Sequence, residues 1–327
     1  MTQGPKISVI IPAYNAASFL DRTLARVFRQ QRPAHEVIIV DDGSTDDTPR
    51  VLEKYKGKIL YKKIRNSGCS VARNEGVRLS SGDVLAFLDA DDGWFSKKLK
   101  VLSEALTQFP EIGFFCSNYL VRSDVQRRIV RHYQHLTNRR DFNFDRPLKH
   151  LPLKMLMVSN FVGTPSAAVI RRDLFDQLGG FDPECRIVED LDFFLRAAMR
   201  TNFVVIGQPL FYKHNHEQSM SHDKIKTLEA HRRVLLGNVP NLRVYLSQHG
   251  LEDDLGLGLA GVDYALGAEY FDSGDKKTAF KRFREALGAS RHPLNFLRYL
   301  WAVTKKIMRI LSGDLLSKNK WRRWFSA

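Results

Sequence analysis

The sequence predicts an α/β fold built on a mostly parallel sheet. Short apolar runs alternate with helix-patterned stretches through the first 110 residues, the signature of βαβ units. One of these runs, Val84-Leu85-Ala86-Phe87-Leu88, is continuously apolar rather than alternating, as suits a strand covered on both faces. The polar groups then collect at strand ends. Pro12-Ala13-Tyr14, Asp41-Asp42 and Asp89-Ala90-Asp91-Asp92 all follow strands in one direction, so their loops share a rim where open α/β sheets gather ligands.

Ile7-Ser8-Val9-Ile10-Ile11-Pro12 reads as a buried strand that Pro12 stops at the loop Ala13-Tyr14-Asn15. Phe19, Leu20, Leu24, Val27 and Phe28 recur at helical spacing and predict the first helix. Glu36-Val37-Ile38-Ile39-Val40 is the second strand. Asp41-Asp42-Gly43-Ser44-Thr45-Asp46 after it can turn the chain and cap a helix over 48–55. Lys58-Ile59-Leu60-Tyr61 makes a third strand, and Asn66-Ser67-Gly68 turns into a helix over 71–79. The strand from Val84 completes right-handed crossover units. It ends in Asp89, Asp91 and Asp92, carboxylates that repel one another unless a cation or donors sit among them. That predicts a hard divalent metal, Mg²⁺ or Mn²⁺. Asp92 is equally placed to cap a helix starting near Ser96.

A helix over 97–109 leads to a strand over 112–118. Between 121 and 143 lies a charge-rich connection, with Arg127-Arg128, Arg131 and Arg139-Arg140, that reads as solvated surface or as a flap over an acceptor. Gly163-Thr164-Pro165-Ser166 precedes the strand Ala167-Ala168-Val169-Ile170, and Gly179-Gly180 turns the chain after a helix over 172–178. Phe193, Phe194 and Ala197 then face the core of a helix whose first turn holds Glu189 and Asp190, where amide donors favour negative charge. Strands over 203–206 and 209–212 lead to His214 and His216, a pair without a further zinc ligand in sequence range.

From 221 onward the composition is helical. Gly256-Leu257-Gly258-Leu259-Ala260-Gly261 matches a dinucleotide fingerprint letter for letter, but no strand precedes it, so it reads as part of a helix. Tyr264 to Phe271 and Ala279 to Leu287, either side of Gly274-Asp275, predict a helical hairpin like a single tetratricopeptide-type pair. In 291–327, nine cations face one acid among interleaved Trp, Phe and Leu residues. This suits an interfacial helix on anionic lipid, or a packed helix with a solvated basic face; nucleic acid is disfavoured because no recognition motif accompanies the charge.

The 327 residues allow one large domain with an appendage, and the net charge of +15 calls for an acidic partner. Cys69, Cys116 and Cys185, odd in number and without a Cys-x-x-Cys pair, indicate neither a disulfide framework nor a thiolate zinc site and fit a reducing cytosol. The N-terminal residues lack the pattern of a signal peptide, and no apolar segment approaches the roughly 20 residues of a bilayer span. The expected location is cytoplasmic, peripheral at the inner face of the cell membrane.

Ser8-Val9-Ile10-Ile11-Pro12-Ala13-Tyr14-Asn15, Val40-Asp41-Asp42-Gly43-Ser44-Thr45-Asp46, Asn66-Ser67-Gly68 with Ala72-Arg73-Asn74, and Asp89-Ala90-Asp91-Asp92 resemble, in order, the motifs of family 2 inverting glycosyltransferases. The likeness continues through Thr164-Pro165-Ser166, Gly179-Gly180-Phe181-Asp182 and Glu189-Asp190-x-Asp192-x-x-x-Arg196. It implies a single GT-A-type, Rossmann-like domain over 1–220 with a mixed, mostly parallel sheet flanked by helices. Within it, 1–110 would bind the nucleotide sugar and 111–220 the acceptor, followed by a helical extension over 221–290 and the basic segment 291–327.

By the same resemblance, Pro12, Ala13 and Tyr14 line the nucleotide, Asp42 with Asp41 accepts from the base, and Arg73 lies near base and phosphates. Asp89, Ala90 and Asp92 face the ribose or sugar. Asp91, helped by Asp89 and by His216 in a loop with Ser221, holds Mn²⁺ or Mg²⁺. Thr164, Pro165, Gly180 and Glu189 stand on the acceptor side, and Asp190 is the catalytic base. The implied reaction transfers a sugar from a nucleotide-diphospho-sugar, first of all a UDP-sugar, to a hydroxyl of a glycan or lipid-linked saccharide with inversion. The alternatives are a sugar-phosphate nucleotidyltransferase, for which Pro12-Ala13-Tyr14-Asn15 offers no glycine-rich triphosphate loop, and an inactive membrane-surface scaffold. No Gln-x-x-Arg-Trp of processive synthases occurs, so transfer of one or a few sugars is expected.

Overall fold

The computed structural model describes residues 4–123, 128–132, 143–216 and 223–289. The chain divides into two compact units, one drawn from Met1–Leu156 and Asn160–His222, the other from Met157–Ser159 and Asp223–Ala327. The predicted segment 291–327, Ser221 and most of 124–142 lie outside the described residues.

The first unit is a mixed, mostly parallel sheet in the order β3-β2-β1-β4-β9-β6-β10-β5. β1 (Ile7–Ala13) is flanked in parallel by β2 (Glu36–Asp41) and β4 (Val84–Phe87), and β3 (Leu60–Lys63) extends β2 in parallel. The third strand thus lies two residues beyond the expected 58–61. As an edge strand it has no core side to fix its register, and Lys62 and Lys63 pair with Glu75 and Asp41 instead. Every residue of β4 is fully buried, which is why its sequence shows no alternation.

α1 (Ala17–Phe28), α2 (Thr48–Glu53) and α3 (Cys69–Leu79) connect these strands, and α3 lies so close to β1 that a methyl on Gly76 would meet Ile10 at 2.5 Å. Phe28, counted from sequence with the buried stripe of α1, is 42% exposed and stacks on Tyr55. β5 (Gly93–Trp94) and α4 (Lys98–Gln108) follow, then β6 (Phe114–Ser123), which pairs with a short β7 (Arg128–Arg131).

After β8 (Pro147–Leu148) and α5 (Leu151–Val158), β9 (Ala168–Arg171) runs antiparallel between β4 and β6. It is followed by α6 (Arg172–Leu178) and α7 (Glu189–Ala198). The two strands expected over 203–212 are one, β10 (Phe203–Asn215), parallel to β6 with register shifts either side of Pro209. Pro209 cannot donate to the ladder, so the strand bulges there rather than ending.

The second unit contains α8 (Lys224–Gln248), α9 (Glu252–Asp272) and α10 (Lys276–Ala289). Gly256 to Gly261 lie inside α9, where Gly258 admits the Met157 backbone and Gly267 admits the Phe283 ring; the glycines serve close packing, as the absence of a preceding strand predicts. α9 and α10 form the expected hairpin around Ala279 and Phe283. Arg232 and Arg282 pair with the buried Asp263, and Arg282 also with Glu229. No helix among the described residues is long and apolar enough to cross a membrane.

Candidate functional site

The loops after β1 and β2 are knitted by Asn15, whose side-chain oxygen accepts from the Thr45 amide at 2.8 Å while its own amide donates to Ser44 Oγ at 2.9 Å. Asn15 holds φ at 48°, a conformation Asn adopts more readily than most residues. Pro12 and Ala13 are the last residues of β1, and Tyr14, 52% exposed, begins the bend that follows.

Asp41 does not face this rim. It is fully buried, with its oxygens accepting from the Ser44 amide at 2.7 Å and the Tyr61 hydroxyl at 3.0 Å, and so it supports the turn. Asp42 crosses to the next loop and accepts from the amides of Ser67 and Gly68 at 2.7 and 2.8 Å. It therefore ties two rim loops together.

The loop after β4 is held from below by Thr23, whose hydroxyl is shared between the carbonyls of Ala90 and Asp92. Its three carboxylates go different ways. Asp89 accepts from Arg73 Nη2 at 2.8 Å and from the Thr164 hydroxyl at 2.7 Å, and its amide donates to Ser166 Oγ. Asp91 Oδ2 lies 3.0 Å from His216 Nε2. Asp92 is buried; Oδ1 accepts from the His214 amide at 3.0 Å and Oδ2 has no hydrogen-bond partner. α4 begins with no side-chain cap at all, so the helix-cap role open to Asp92 in the sequence is not the one it has.

Arg73 is a buried bridge. Its Nη1 donates to Glu189 at 2.6 Å and its Nη2 to Asp89, so one guanidinium joins the β4 loop to the start of α7. Glu189 also accepts from Cys69 Sγ at 3.0 Å, and is thereby engaged inside the fold. The residue before it, Val188, sits at φ 56°, a strained conformation for a β-branched side chain. Asp190 is partly buried and accepts from the Leu191 amide at 2.8 Å and from Asn160 Nδ2 at 3.0 Å.

Asn160 also accepts from the amide of Gly163 at 2.9 Å. One short loop therefore presents Asn160 to Asp190 and Thr164 to Asp89, with Pro165 opening the 3-10 turn Pro165–Ala167. Gly163 makes this possible: φ is +83°, and a Cβ there would fall 2.0 Å from the Tyr119 hydroxyl. Gly180 lies in the turn clamped by Asn74, and its carbonyl accepts from Arg196, so it supports α7.

The end of β10 closes the arrangement. His216 stacks on Phe19 of α1, ring centroids 4.8 Å apart, with Nε2 toward Asp91. His214 supplies the amide that holds Asp92 and places Nδ1 3.4 Å from Arg22. Lys213 reaches toward the Gly163 carbonyl, 3.5 Å away. Sequence reasoning missed Asn160, Thr23, Phe19 and Lys213, because each acts through a partner on another element.

Electrostatics separates the carboxylates. Burial opposes charge on Asp89, but Arg73 outweighs it and, with Thr164, draws the carboxyl below its ordinary value. Burial and then Asp89 push Asp91 up, and burial with Asp91 and Asp89 pushes Asp92 well up. Asp190 is raised to about 6 by burial and by Glu189, against the pull of Lys213 and Arg73. A carboxyl titrating there is suited to accept a proton near neutral pH. Behind Asp92, the wholly buried Lys98 lies between the Trp94 and Phe211 rings, and burial lowers its ammonium to about 7.

Among the described residues no three His, Cys, Asp or Glu side chains are arranged to hold a metal by themselves. Asp91 and His216 converge as an oxygen–nitrogen pair, while both Asp89 oxygens are engaged by Arg73 and Thr164. Such a pair fits a divalent ion that completes its shell with phosphate oxygens and water.

The family described as Glycosyl transferase family 2 matches residues 8–179, more than half of the chain. An uncharacterized glycosyltransferase of Haemophilus influenzae is 28% identical over 233 residues, covering 68% of this chain and 74% of the relative. Among solved structures, S. aureus TarS 1–349 in complex with UDP-GlcNAc superposes with a TM-score of 0.57 at 18% identity, over 86% of this chain and 90% of that 1–349 chain. The mannosyltransferase PcManGT of Pyrobaculum calidifontis, in complex with GDP-Man and Mn²⁺, gives 0.57 at 18% identity over 94% of this chain and 81% of that one. At these identities the two structures speak to the fold.

Proposed function

From the premise that this chain belongs to glycosyltransferase family 2 and is a GT-A glycosyltransferase, we propose that it inverts the anomeric centre as it transfers a sugar from a nucleotide-diphospho-sugar. The acceptor is a hydroxyl of a glycan or lipid-linked saccharide. One observation carries this reading: residues 160–164 and Arg73 bring Asp89 and Asp190, a century of residues apart in sequence, to a common site.

Asp190 accepts the proton of the acceptor hydroxyl as its oxygen attacks the anomeric carbon from the face opposite the nucleotide. The bond from that carbon to the leaving diphosphate oxygen breaks in the same displacement. Asp91 and His216 would hold Mn²⁺ or Mg²⁺, which when bound offsets charge on the leaving diphosphate. Arg73 and Thr164 fix Asp89 to face the sugar, and Asp42 braces the loop beside the nucleotide.

The UDP-GlcNAc of the TarS complex supports a UDP-sugar donor, and the Mn²⁺ of the mannosyltransferase complex supports a divalent ion. Contact with anionic membrane from the cytoplasmic side is proposed on the charge of 291–327 alone. A thermal-shift screen of UDP-, GDP- and dTDP-sugars with Mn²⁺ tests the donor: stabilisation by a UDP-sugar is expected, since a ligand that binds only the native state raises its stability by mass action. No stabilisation by any of them would overturn the reading.

A further inference from the structure

Asp190 is tied to the rest of the fold by few bonds. Among the described residues no ion pair holds it, and both of its oxygens are engaged by neutral donors. Oδ1 accepts from the amide of Leu191, the next residue of α7, at 2.8 Å. Oδ2 accepts from Asn160 Nδ2 at 3.0 Å, and Asn160 is the one side chain among the described residues that donates to it.

Asn160 is itself oriented. Its side-chain oxygen accepts from the Gly163 amide at 2.9 Å, and because only the oxygen of a carboxamide accepts, its NH₂ group is left to face Asp190. The loop that carries it is fixed as well. Phe161 and Val162 are buried, the Phe161 carbonyl lies 2.7 Å from His132 Nε2, and the Thr164 hydroxyl donates to Asp89. A carboxamide does not titrate, so the donor is offered across the whole range in which Asp190 changes its charge.

We propose that Asn160 is a positioning residue for the transfer reaction: locked by the Gly163 amide, its carboxamide pins Oδ2 and so fixes the plane of the Asp190 carboxylate against the acceptor hydroxyl. The inference rests on the reading of Asp190 as base. Each carboxylate oxygen has two lone pairs. Asn160 takes one at Oδ2 and leaves the other for the incoming O–H. The Leu191 amide cannot fix this alone, since a single bond to Oδ1 leaves the carboxylate free to turn about Cβ–Cγ. Proton transfer needs the oxygen within hydrogen-bond reach and tolerates little of that rotation. Glu189 on the same helix, Arg73 of α3, Lys213 of β10, Tyr119 of β6 and Cys185 of the loop before α7 act on Asp190 through charge, which sets its titration rather than its orientation.

The test is NMR of the full chain labelled at aspartate and asparagine. In the wild type the Asn160 side-chain amide signals, assigned by their loss in Asn160→Ala, should follow the Asp190 carboxyl as it titrates near about 6. They should stop moving in Asp190→Asn. Three-bond couplings from Asp190 Cγ to its backbone should report one rotamer in the wild type and an average in Asn160→Ala. Asn160→Asp, which exchanges the donor for a second carboxylate of the same shape, should raise the Asp190 midpoint by at least about one pH unit. Amide signals indifferent to Asp190 overturn the proposal, as does a single rotamer kept in Asn160→Ala or an unmoved midpoint in Asn160→Asp. If Asn160→Ala does not fold, the wild-type titration and Asn160→Asp still decide. Release of UDP from UDP-GlcNAc with Mn²⁺ separates the inference from its premise: in Asn160→Ala, kcat should fall at least about tenfold with the donor KM within about twofold. Full activity in Asp190→Asn removes the base and with it the role of Asn160. Lost activity in Asp190→Asn beside an unchanged kcat in Asn160→Ala removes the role of Asn160 alone.

Discussion

Arg73 Nη1 lies 2.6 Å from Glu189 Oε1, a contact between helices that begin 120 residues apart, and both side chains are buried. Breaking one partner of a buried pair leaves the other charge uncompensated, at a cost of about 3–5 kcal/mol. Arg73→Met is therefore expected to lower the free energy of unfolding by about 3 kcal/mol in urea, and to free both Asp89 and Glu189. A loss under about 1 kcal/mol would mean that the pair is solvated and does not join the two loops.

Asp190→Asn keeps the shape and can still meet Asn160, but it cannot take a proton. Transfer is expected to fall at least about a hundredfold while the affinity for a donor nucleotide, measured by calorimetry, stays within about twofold. In the wild type the rate should drop as pH falls through about 6, because the base must be ionised. Near-wild-type turnover in the variant would remove Asp190 from the chemistry.

The same raised carboxyl predicts a stability effect. Its folded value of about 6 exceeds the ordinary Asp value, so the fold favours the protonated form. The stability this provides is fully present below the unfolded value and lost as pH rises through about 6. Asp190→Asn should then be more stable than the wild type at pH 8, by about 1–2 kcal/mol after allowance for partial exposure, with the gap closing at pH 4. Equal stability at both pH values would show that Asp190 pays no burial penalty.

Asp91→Ala removes one of the two side chains that converge at the rim beside Phe19. Binding of UDP that depends on Mn²⁺ is expected to weaken at least about tenfold, and titration of UDP with and without Mn²⁺ measures it. His216→Ala should act in the same direction. Titrations unchanged by either substitution would exclude the metal role.

Gly163→Ala places a methyl where the Tyr119 hydroxyl lies and forces a side chain into positive φ. We expect a loss of about 2 kcal/mol or more and a matching fall in transfer, since Asn160 and Thr164 flank the strained position. Tyr119→Phe in the same chain deletes the clashing oxygen and should restore part of the stability, a coupling that a double-mutant cycle reads directly.

Much of this site was legible because its parts are local. The βαβ alternation places Pro12, Asp42 and Asp89 at one set of strand ends, and no long-range knowledge is needed to see it. The Asp41 turn was legible too, since an Asp accepting from the amide three residues on is ordinary turn chemistry, and that is the bond it makes with Ser44. What could not be read was pairing across the fold. Nothing near Arg73 announces Glu189, and nothing near Lys213 announces Gly163. Pro209 looked like the start of a separate strand because its missing N–H is a local fact, whereas the pairing that carries β10 through it belongs to β6.

One feature of the sheet bears on how the chain is made. β4, wholly apolar, has β1 along one side and β9 along the other, and β9 arrives about 80 residues later in the chain. At translation rates of about 5–20 residues per second, that side of β4 waits about 4–16 s for its partner. During that interval a nascent chain carries an open, apolar strand edge of the kind that invites pairing with a neighbour. The loop of residues 160–166, made just before β9, thus closes an aggregation-prone edge in the same folding step that brings Thr164 to Asp89, so a chain that has completed its sheet has also assembled its site.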